Sequence, residues 1–286
     1  MKKLTAVLLT LLLILSLVGC SETAPSEPSG EEKTPEIRTE EKLYYNGDAK
    51  IYGVLYLPEE VRDTYPVVIL SHGFGVTHGV VDEYAQYFAQ RGFAAYAFDY
   101  PGGGSASQSD GDLLHMSVLT EAGDLNAVID GILGESFTQK ENLFLMGESQ
   151  GGFVSSYVAA QRPEDVRALM LLYPAYVICD QALERDHDPD TMPETETLMG
   201  TTVGKIYTLD AASFDIYDVI GSYTGDVLIL HGTKDPLVPL SYSEKAVETF
   251  PSAVLEIVEG AGHGFTGKNR NQAKTRMADF AEEHLS

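Results

Sequence analysis

From residue 42 onward, short apolar segments alternate with longer amphipathic ones, and this alternation constrains the fold more than any other feature. Most of the apolar runs lack the period-two pattern of a half-exposed strand, as expected for strands covered on both faces. They predict strands at residues 67–70, 93–98, 143–146, 168–172, 227–230 and 254–258. The segments between them predict helices at residues 81–91, 117–133, 153–161, 241–249 and 269–285. This order predicts an α/β fold with a mostly parallel sheet flanked by helices.

Two segments depart from this alternation. Asn46-Gly47-Asp48 separates two strand-like runs and predicts an antiparallel hairpin at the leading edge of the sheet. Residues 176–224 separate two predicted strands by about fifty residues, which is too long for a structureless loop in a compact domain. We expect this segment to be an inserted lid with short elements of its own, within a single domain spanning residues 42–286.

The first forty residues have the pattern of an export signal and a tether. Lys2 and Lys3 precede an apolar run, and the run ends in Leu17-Val18-Gly19-Cys20, which resembles the lipobox of bacterial lipoprotein signals. The interpretation is a signal peptide over residues 1–19, a lipidated Cys20 and an acidic, Pro-containing tether over residues 20–41. The expected location is therefore extracytoplasmic, with a lipid anchor in the bacterial cell membrane. An ordinary secretory signal and a retained membrane anchor are the alternatives.

Charge and cysteine content exclude several classes of function. The chain has 43 acidic residues against 19 Lys and Arg, a formal net charge of −24. No basic surface is available for nucleic acid or for a polybasic contact with anionic lipid, so no nucleic-acid partner is expected. The two cysteines, Cys20 and Cys179, exclude a disulfide-dense scaffold.

The sequence Gly147-Glu148-Ser149-Gln150-Gly151 follows a predicted strand and precedes a predicted helix. This is the context of a G-x-S-x-G nucleophile elbow, in which a sharp turn exposes the serine hydroxyl at the edge of the sheet. The glycines are needed because strand and helix approach closely at the turn. Ser149 is therefore the predicted nucleophile.

A serine nucleophile needs a base, and the base needs an acid that holds its tautomer. Asp235 follows the predicted strand 227–230, and His263 lies on a glycine-rich loop after the strand 254–258. The chain order Ser149, Asp235, His263 is the order of the α/β-hydrolase triad. Among the histidines that follow Ser149 in the chain, His231 is the rival base, and its position at a strand end before a glycine indicates a structural role.

Acyl transfer also needs hydrogen-bond donors for the developing oxyanion. The loop Ser71-His72-Gly73-Phe74-Gly75 follows the strand 67–70 and predicts the backbone N–H of Phe74 as one donor. The N–H of Gln150, the residue after the nucleophile, is the predicted second donor. His72 is expected to hold this loop, and the alternative is that His72 itself serves as the base.

No cofactor or metal is expected. Asp186-His187-Asp188 is a run of polar residues without a ligand spacing such as H-E-x-x-H. Gly102-Gly103-Gly104 is not followed by the G-K-[ST] of a phosphate-binding loop and is interpreted as a turn.

These features together resemble the α/β-hydrolase superfamily over residues 42–285, and within it bacterial cinnamoyl/feruloyl esterase-like hydrolases. The residues that carry the closer resemblance are His72-Gly73-Phe74-Gly75, Phe98-Asp99-Tyr100, Met116-Ser117-Val118-Leu119-Thr120-Glu121, Gly147-Glu148-Ser149-Gln150-Gly151-Gly152-Phe153 and Gly262-His263-Gly264-Phe265. The resemblance implies an α/β-hydrolase fold with an inserted lid, and the same nucleophile, base, acid and oxyanion donors as above.

The expected activity is hydrolysis of a carboxylic ester through an acyl-enzyme, with a small-molecule or polysaccharide-linked ester as substrate. Tyr176, Tyr207 and Phe214 are the predicted substrate-binding residues of the lid. The lid also carries ten Asp or Glu against Arg185 and Lys205, which disfavours anionic ligands. Taken with the resemblance, this implies neutral esters with short or aromatic acyl groups. The alternatives are a serine peptidase of the prolyl-oligopeptidase type and a surface binding lipoprotein without catalysis.

Overall fold

The structure is a computed structural model and describes residues 35–286. The predicted signal peptide, Cys20 and most of the predicted tether lie outside the described residues. Within the described part of the chain, no helix has the length and apolar character needed to cross a membrane.

An eight-stranded sheet forms the centre of the fold, in the order β1-β2-β4-β3-β5-β6-β9-β10. The first two strands pair antiparallel to their neighbours and the others pair in parallel, as predicted. The strands are β1 Ile37–Asn46, β2 Ala49–Pro58, β3 Tyr65–Ser71, β4 Ala94–Phe98, β5 Thr138–Glu148, β6 Ala168–Leu172, β9 Asp226–Gly232 and β10 Ala253–Val258.

Helices cover both faces of this sheet. Alternate residues of β3 point to opposite faces, so that Val67 and Ile69 pack with α2 and α3 while Val68 and Leu70 pack with α1 and α8. All four side chains are fully buried. The helices outside residues 176–224 are α1 Asp82–Gln90, α2 Val118–Gly134, α3 Gln150–Gln161, α7 Ser241–Thr249 and α8 Gly267–Glu283, with a short 3-10 helix at His78–Val80. The α/β-hydrolase fold predicted from the alternating pattern is confirmed.

The first strand begins earlier than the predicted domain boundary. Strand β1 starts at Ile37 and pairs with β2 along ten residues, so residues 37–41 belong to the sheet and not to the tether. The reason is that β1 is an edge strand, in which only Tyr44 is buried. Residues 38–41 are polar and exposed, so they have the composition of a tether.

The segment between β6 and β9, which we call the insertion (residues 176–224), contains three helices and a two-stranded hairpin. Its elements are α4 Val177–Glu184, β7 Thr195–Leu198, β8 Thr201–Gly204, α5 Ile206–Ala212 and α6 Ile216–Ile220. Because β6 and β9 pair directly in parallel, the insertion occupies a single crossover and interrupts no strand pairing.

Candidate active site

Ser149 occupies a tight turn between β5 and α3. Its backbone has φ 53° and ψ −120°, a conformation that residues with a side chain rarely adopt. A Cβ atom on Gly147 would lie 2.4 Å from the carbonyl oxygen of Gly151, and one on Gly151 would lie 2.4 Å from that of His72. Both positions therefore require glycine, because backbone atoms occupy the space of a side chain.

The side chains of Ser149, His263 and Asp235 form one hydrogen-bonded chain. Ser149 Oγ lies 2.9 Å from His263 Nε2, and His263 Nδ1 lies 2.7 Å from Asp235 Oδ2. The three residues follow β5, β10 and β9, whose carboxyl ends meet at one edge of the parallel sheet. The structure thus brings together the three residues that chain order selected.

Asp235 is held as an anion by several donors. Its Oδ1 accepts the backbone N–H groups of Leu237 and Val238 at 2.8 and 2.9 Å. Desolvation alone would raise the pKa of Asp235, but the hydrogen bonds outweigh burial and hold the pKa well below its usual range. The carboxylate therefore stays ionised and fixes the tautomer of His263.

Neither of the two histidines considered as rival bases is hydrogen-bonded to Ser149, and His231 Nε2 lies 3.4 Å from Asp235 Oδ2. His231 is fully buried, with Nδ1 2.7 Å from Ser243 Oγ and Nε2 3.0 Å from the carbonyl oxygen of Val238. His72 Nε2 accepts the backbone N–H of Tyr100 at 3.1 Å, and burial lowers its pKa. A neutral His72 that accepts this bond ties the loop after β3 to the segment after β4.

The two predicted oxyanion donors both lie beside Ser149 in the cavity wall. Phe74 follows β3 and Gln150 is the first residue of α3, and both line the cavity that contains Ser149 and His263. No acceptor among residues 35–286 takes a hydrogen bond from either N–H group. Both groups are available to an oxygen atom bound in the cavity.

Glu148 and Tyr173 also line this cavity, and neither was predicted from the sequence to have a role. The Tyr173 hydroxyl donates to Glu148 Oε2 at 2.9 Å, and its ring centroid lies 4.6 Å from that of His263. Tyr173 has φ 37°, the left-handed region, as residues at strained turns beside active sites often do. Burial raises the pKa of Glu148. The only sequence signal for Glu148 was a carboxylate inside the elbow motif.

The cavity beside Ser149 has a volume of about 660 Å³, within the range of small-molecule sites. The insertion provides much of its wall, including Ile178, Leu198, Met199 and Tyr207. Arg185 is the one Lys or Arg in the lining, and its Nε lies 3.2 Å from Glu196 Oε2. The wall therefore combines apolar side chains of the insertion with polar groups, and its one Lys or Arg charge is already paired.

Of the three predicted substrate-binding residues, Tyr207 lines the cavity, whereas Tyr176 and Phe214 are not part of its wall. The Tyr176 hydroxyl lies 2.7 Å from Ser156 Oγ, and its ring packs against Phe153. Phe214 packs against Phe153 and Tyr157. Both side chains attach the insertion to α3, and so face the domain core instead of the cavity.

Cys179 and His187 are two further residues that the sequence singled out. Cys179 is buried in α4, and desolvation raises the pKa of its thiol to about 11. His187 is exposed, and its Nδ1 lies 2.9 Å from the carbonyl oxygen of Arg185. Within residues 35–286, no group of three or more His, Cys, Asp or Glu side chains is arranged to hold a metal ion.

The sheet, the elbow and the Ser149–His263–Asp235 geometry define an α/β-hydrolase. More specifically, the chain belongs to the serine aminopeptidase S33 family, whose profile it matches over residues 63–208. A second profile, described as TAP-like protein, matches residues 215–281.

Individual relatives are distant. The chain is 25% identical over 203 residues to a monoacylglycerol lipase of Mycolicibacterium smegmatis, an alignment that covers 68% of this chain and 66% of the relative. It is 31% identical over 104 residues to an uncharacterized 31.7 kDa protein of Escherichia coli. That alignment covers 36% of this chain and only 34% of the relative. Among solved structures, Est1E from Butyrivibrio proteoclasticus with bound ferulic acid superposes with a TM-score of 0.78 at 23% identity. That superposition covers 85% of this chain and 98% of Est1E and supports the fold.

Proposed function

We propose that the protein is a serine carboxylic-ester hydrolase that forms an acyl-enzyme on Ser149. The observation that carries this proposal is the continuous hydrogen-bonded chain from Ser149 Oγ through His263 to Asp235, opening into a cavity of about 660 Å³. Mutual geometry of nucleophile, base and orienting acid is the feature by which such sites are recognised.

In the proposed reaction, His263 Nε2 takes the proton of Ser149 as Oγ attacks the ester carbonyl carbon. The N–H groups of Phe74 and Gln150 stabilise the oxyanion of the tetrahedral intermediate. The imidazolium then protonates the leaving alkoxide, and the C–O bond breaks to give alcohol and acyl-enzyme. Water attacks the acyl group with His263 as base, and release of the acid restores Ser149.

We propose neutral esters with short or aromatic acyl groups as the substrates. The apolar wall from the insertion suits an uncharged group, and Glu196 already balances the charge of Arg185. The ferulic acid held by Est1E is an aromatic acid of this class, bound on a similar fold. The family name makes an aminopeptidase the second candidate, because Glu148 lines the cavity and could pair with an α-ammonium group.

The test compares purified wild type with Ser149→Ala on p-nitrophenyl esters of two to twelve carbons, methyl ferulate and leucine p-nitroanilide. Hydrolysis of short or feruloyl esters by the wild type, with a loss of at least about 10³-fold in Ser149→Ala, supports the proposal. Equal rates in the two proteins would refute the mechanism. A rate maximum at twelve carbons indicates a lipase, and turnover of the anilide alone indicates a peptidase.

We also propose that Cys20 is lipidated and that it anchors the enzyme outside the cytoplasm. This rests on the sequence Leu17-Val18-Gly19-Cys20 behind an apolar run. Expressed in a bacterium, the wild type should enter the detergent phase of a phase separation, and Cys20→Ala should stay in the aqueous phase. Cys179→Ala is the matched control and should partition as the wild type does. An unmodified mature chain starting elsewhere, seen by intact mass, would contradict the proposal.

A further inference from the structure

We propose that Tyr207, a residue of the insertion, positions the oxyanion hole by holding the side chain of Gln150. This inference rests on the proposed function, because it assigns a role to residues around the predicted oxyanion donors. It makes the insertion part of the catalytic geometry, in addition to its place in the cavity wall.

The side chain of Gln150 is bonded at both ends. Its Oε1 accepts the Tyr207 hydroxyl at 2.7 Å, and its Nε2 donates to Glu121 Oε2 at 2.8 Å. Gln150 and Glu121 are each 1% exposed and Tyr207 is 4% exposed, so water does not substitute for either bond. These two bonds hold the Gln150 side chain in one conformation. Because the backbone N–H belongs to the same residue, fixing the side chain also restrains the N–H.

Tyr207 also contacts the other predicted donor residue. Its ring lies 5.5 Å from the ring of Phe74, in an edge-to-face arrangement. One side chain thus touches both residues whose N–H groups would bind the oxyanion, by a hydrogen bond to Gln150 and by ring packing to Phe74.

The helices on either side of Gln150 are themselves fixed to each other. Asp210 of α5 accepts a hydrogen bond of 2.5 Å from Ser117, the N-cap residue of α2. Because α5 carries Tyr207 and α2 carries Glu121, the two partners of Gln150 are held at a set separation. The insertion and α2 together form a clamp around the first residue of α3.

Glu121 completes this clamp as a neutral acceptor. Burial raises its pKa well above the usual range, and its Oε1 has no hydrogen-bond partner among residues 35–286. Its Oε2 needs no charge to accept the hydrogen bond from Gln150 Nε2.

An oxyanion hole is sensitive to small displacements, since loss of one donor costs about 10² to 10³ in kcat. Tyr207→Phe keeps the ring against Phe74 but leaves Gln150 Oε1 buried without its donor. We expect kcat on p-nitrophenyl acetate to fall about tenfold or more, with KM within about threefold of wild type, because acylation and deacylation use the same donors.

The decisive measurement is inhibition by an alkylboronic acid, whose tetrahedral adduct on Ser149 places an oxygen in the oxyanion hole. Its inhibition constant should rise by the same factor as kcat/KM falls in Tyr207→Phe. Tyr223→Phe is the matched control, because it removes a hydroxyl that donates to the carbonyl of Val166, in a residue that is 0% exposed. It should leave both quantities unchanged.

The outcomes separate this inference from the proposed function. If Ser149→Ala is inactive but Tyr207→Phe keeps the wild-type kcat and inhibition constant, the inference is overturned and the proposed function stands. A fall in kcat without a change in boronate affinity also overturns it. If Tyr207→Phe does not fold, Gln150→Met removes both bonds at the centre of the clamp and must show the same paired losses. Ester hydrolysis that survives in Ser149→Ala refutes the proposed function itself.

Discussion

Asp124 lies on the buried face of α2, one turn after Glu121, and it should make folding stability depend on pH. It is 4% exposed and accepts a hydrogen bond of 2.9 Å from Asn46 Nδ2. Burial is the main cause that raises the pKa of Asp124 from 3.8 to about 6, and the bond from Asn46 opposes it. The folded state therefore binds the proton more tightly than the unfolded chain does. This contribution is fully present below about pH 4 and lost as the pH rises through about 6.

At about 1.4 kcal/mol per pH unit, this pKa difference is worth about 3 kcal/mol between acid and neutral pH. Asp124→Asn removes the titration and keeps an oxygen that accepts from Asn46. The new amide donors are buried, which costs about 1 kcal/mol at every pH. The variant should therefore be slightly less stable than wild type at pH 4. It should be about 2 kcal/mol more stable at pH 7.5.

The assay is urea unfolding of both proteins at pH 4 and pH 7.5, with the free energy of unfolding as the readout. Asp63→Asn is the control, because it makes the same chemical change at an exposed position. Its stability difference from wild type should stay the same at the two pH values. If the stabilities of wild type and Asp124→Asn run parallel between the two pH values, the assignment of a buried, titrating carboxyl is wrong.

Three further predictions concern the site and its surroundings. Asp235→Asn should lower kcat on p-nitrophenyl acetate by about 10³- to 10⁴-fold with little change in KM, because the amide favours the wrong tautomer of His263; a kcat near that of wild type would contradict this. Gly147→Ala should lower the melting temperature, because its Cβ would lie 2.4 Å from the Gly151 carbonyl oxygen and overpacking of this kind costs about 1–3 kcal/mol. An unchanged melting curve would refute the clash. In a Cys20→Ala background, the buried thiol of Cys179 should react with a disulfide reagent only on unfolding. Fast reaction of the folded protein would count against the burial of this thiol.

The parts of the site that could be predicted from the sequence share one property. Ser149, Asp235 and His263 each lie on the turn or loop that follows a strand, and the carboxyl ends of parallel strands meet at one edge of the sheet. Their chain order then assigned them distinct roles without any knowledge of the loops between them. Local pattern and topology together were sufficient for these three positions.

The parts that could not be predicted depend on side-chain direction. Tyr176, Tyr207 and Phe214 are all aromatic residues of one insertion, and composition indicates burial without saying which surface each ring meets. The contact between Gln150 and Tyr207 joins residues 57 positions apart, and nothing in the local pattern marks it. One signal was present, since Glu121 is an ionisable residue among mainly apolar ones on the buried face of α2, as Asp124 is, and therefore needs a polar partner.

Because the insertion occupies one crossover between two adjacent strands, its length and sequence can change over evolutionary time without disturbing the sheet. The hydrogen bond from Tyr207 to Gln150 sets a limit on that freedom. An insertion grafted from another hydrolase would bring a new cavity wall, but it would also remove the donor that Gln150 needs. A grafted insertion must therefore place a hydroxyl group at the position of the Tyr207 hydroxyl. Chimeras without this hydroxyl should still bind their substrates, but they should turn them over slowly.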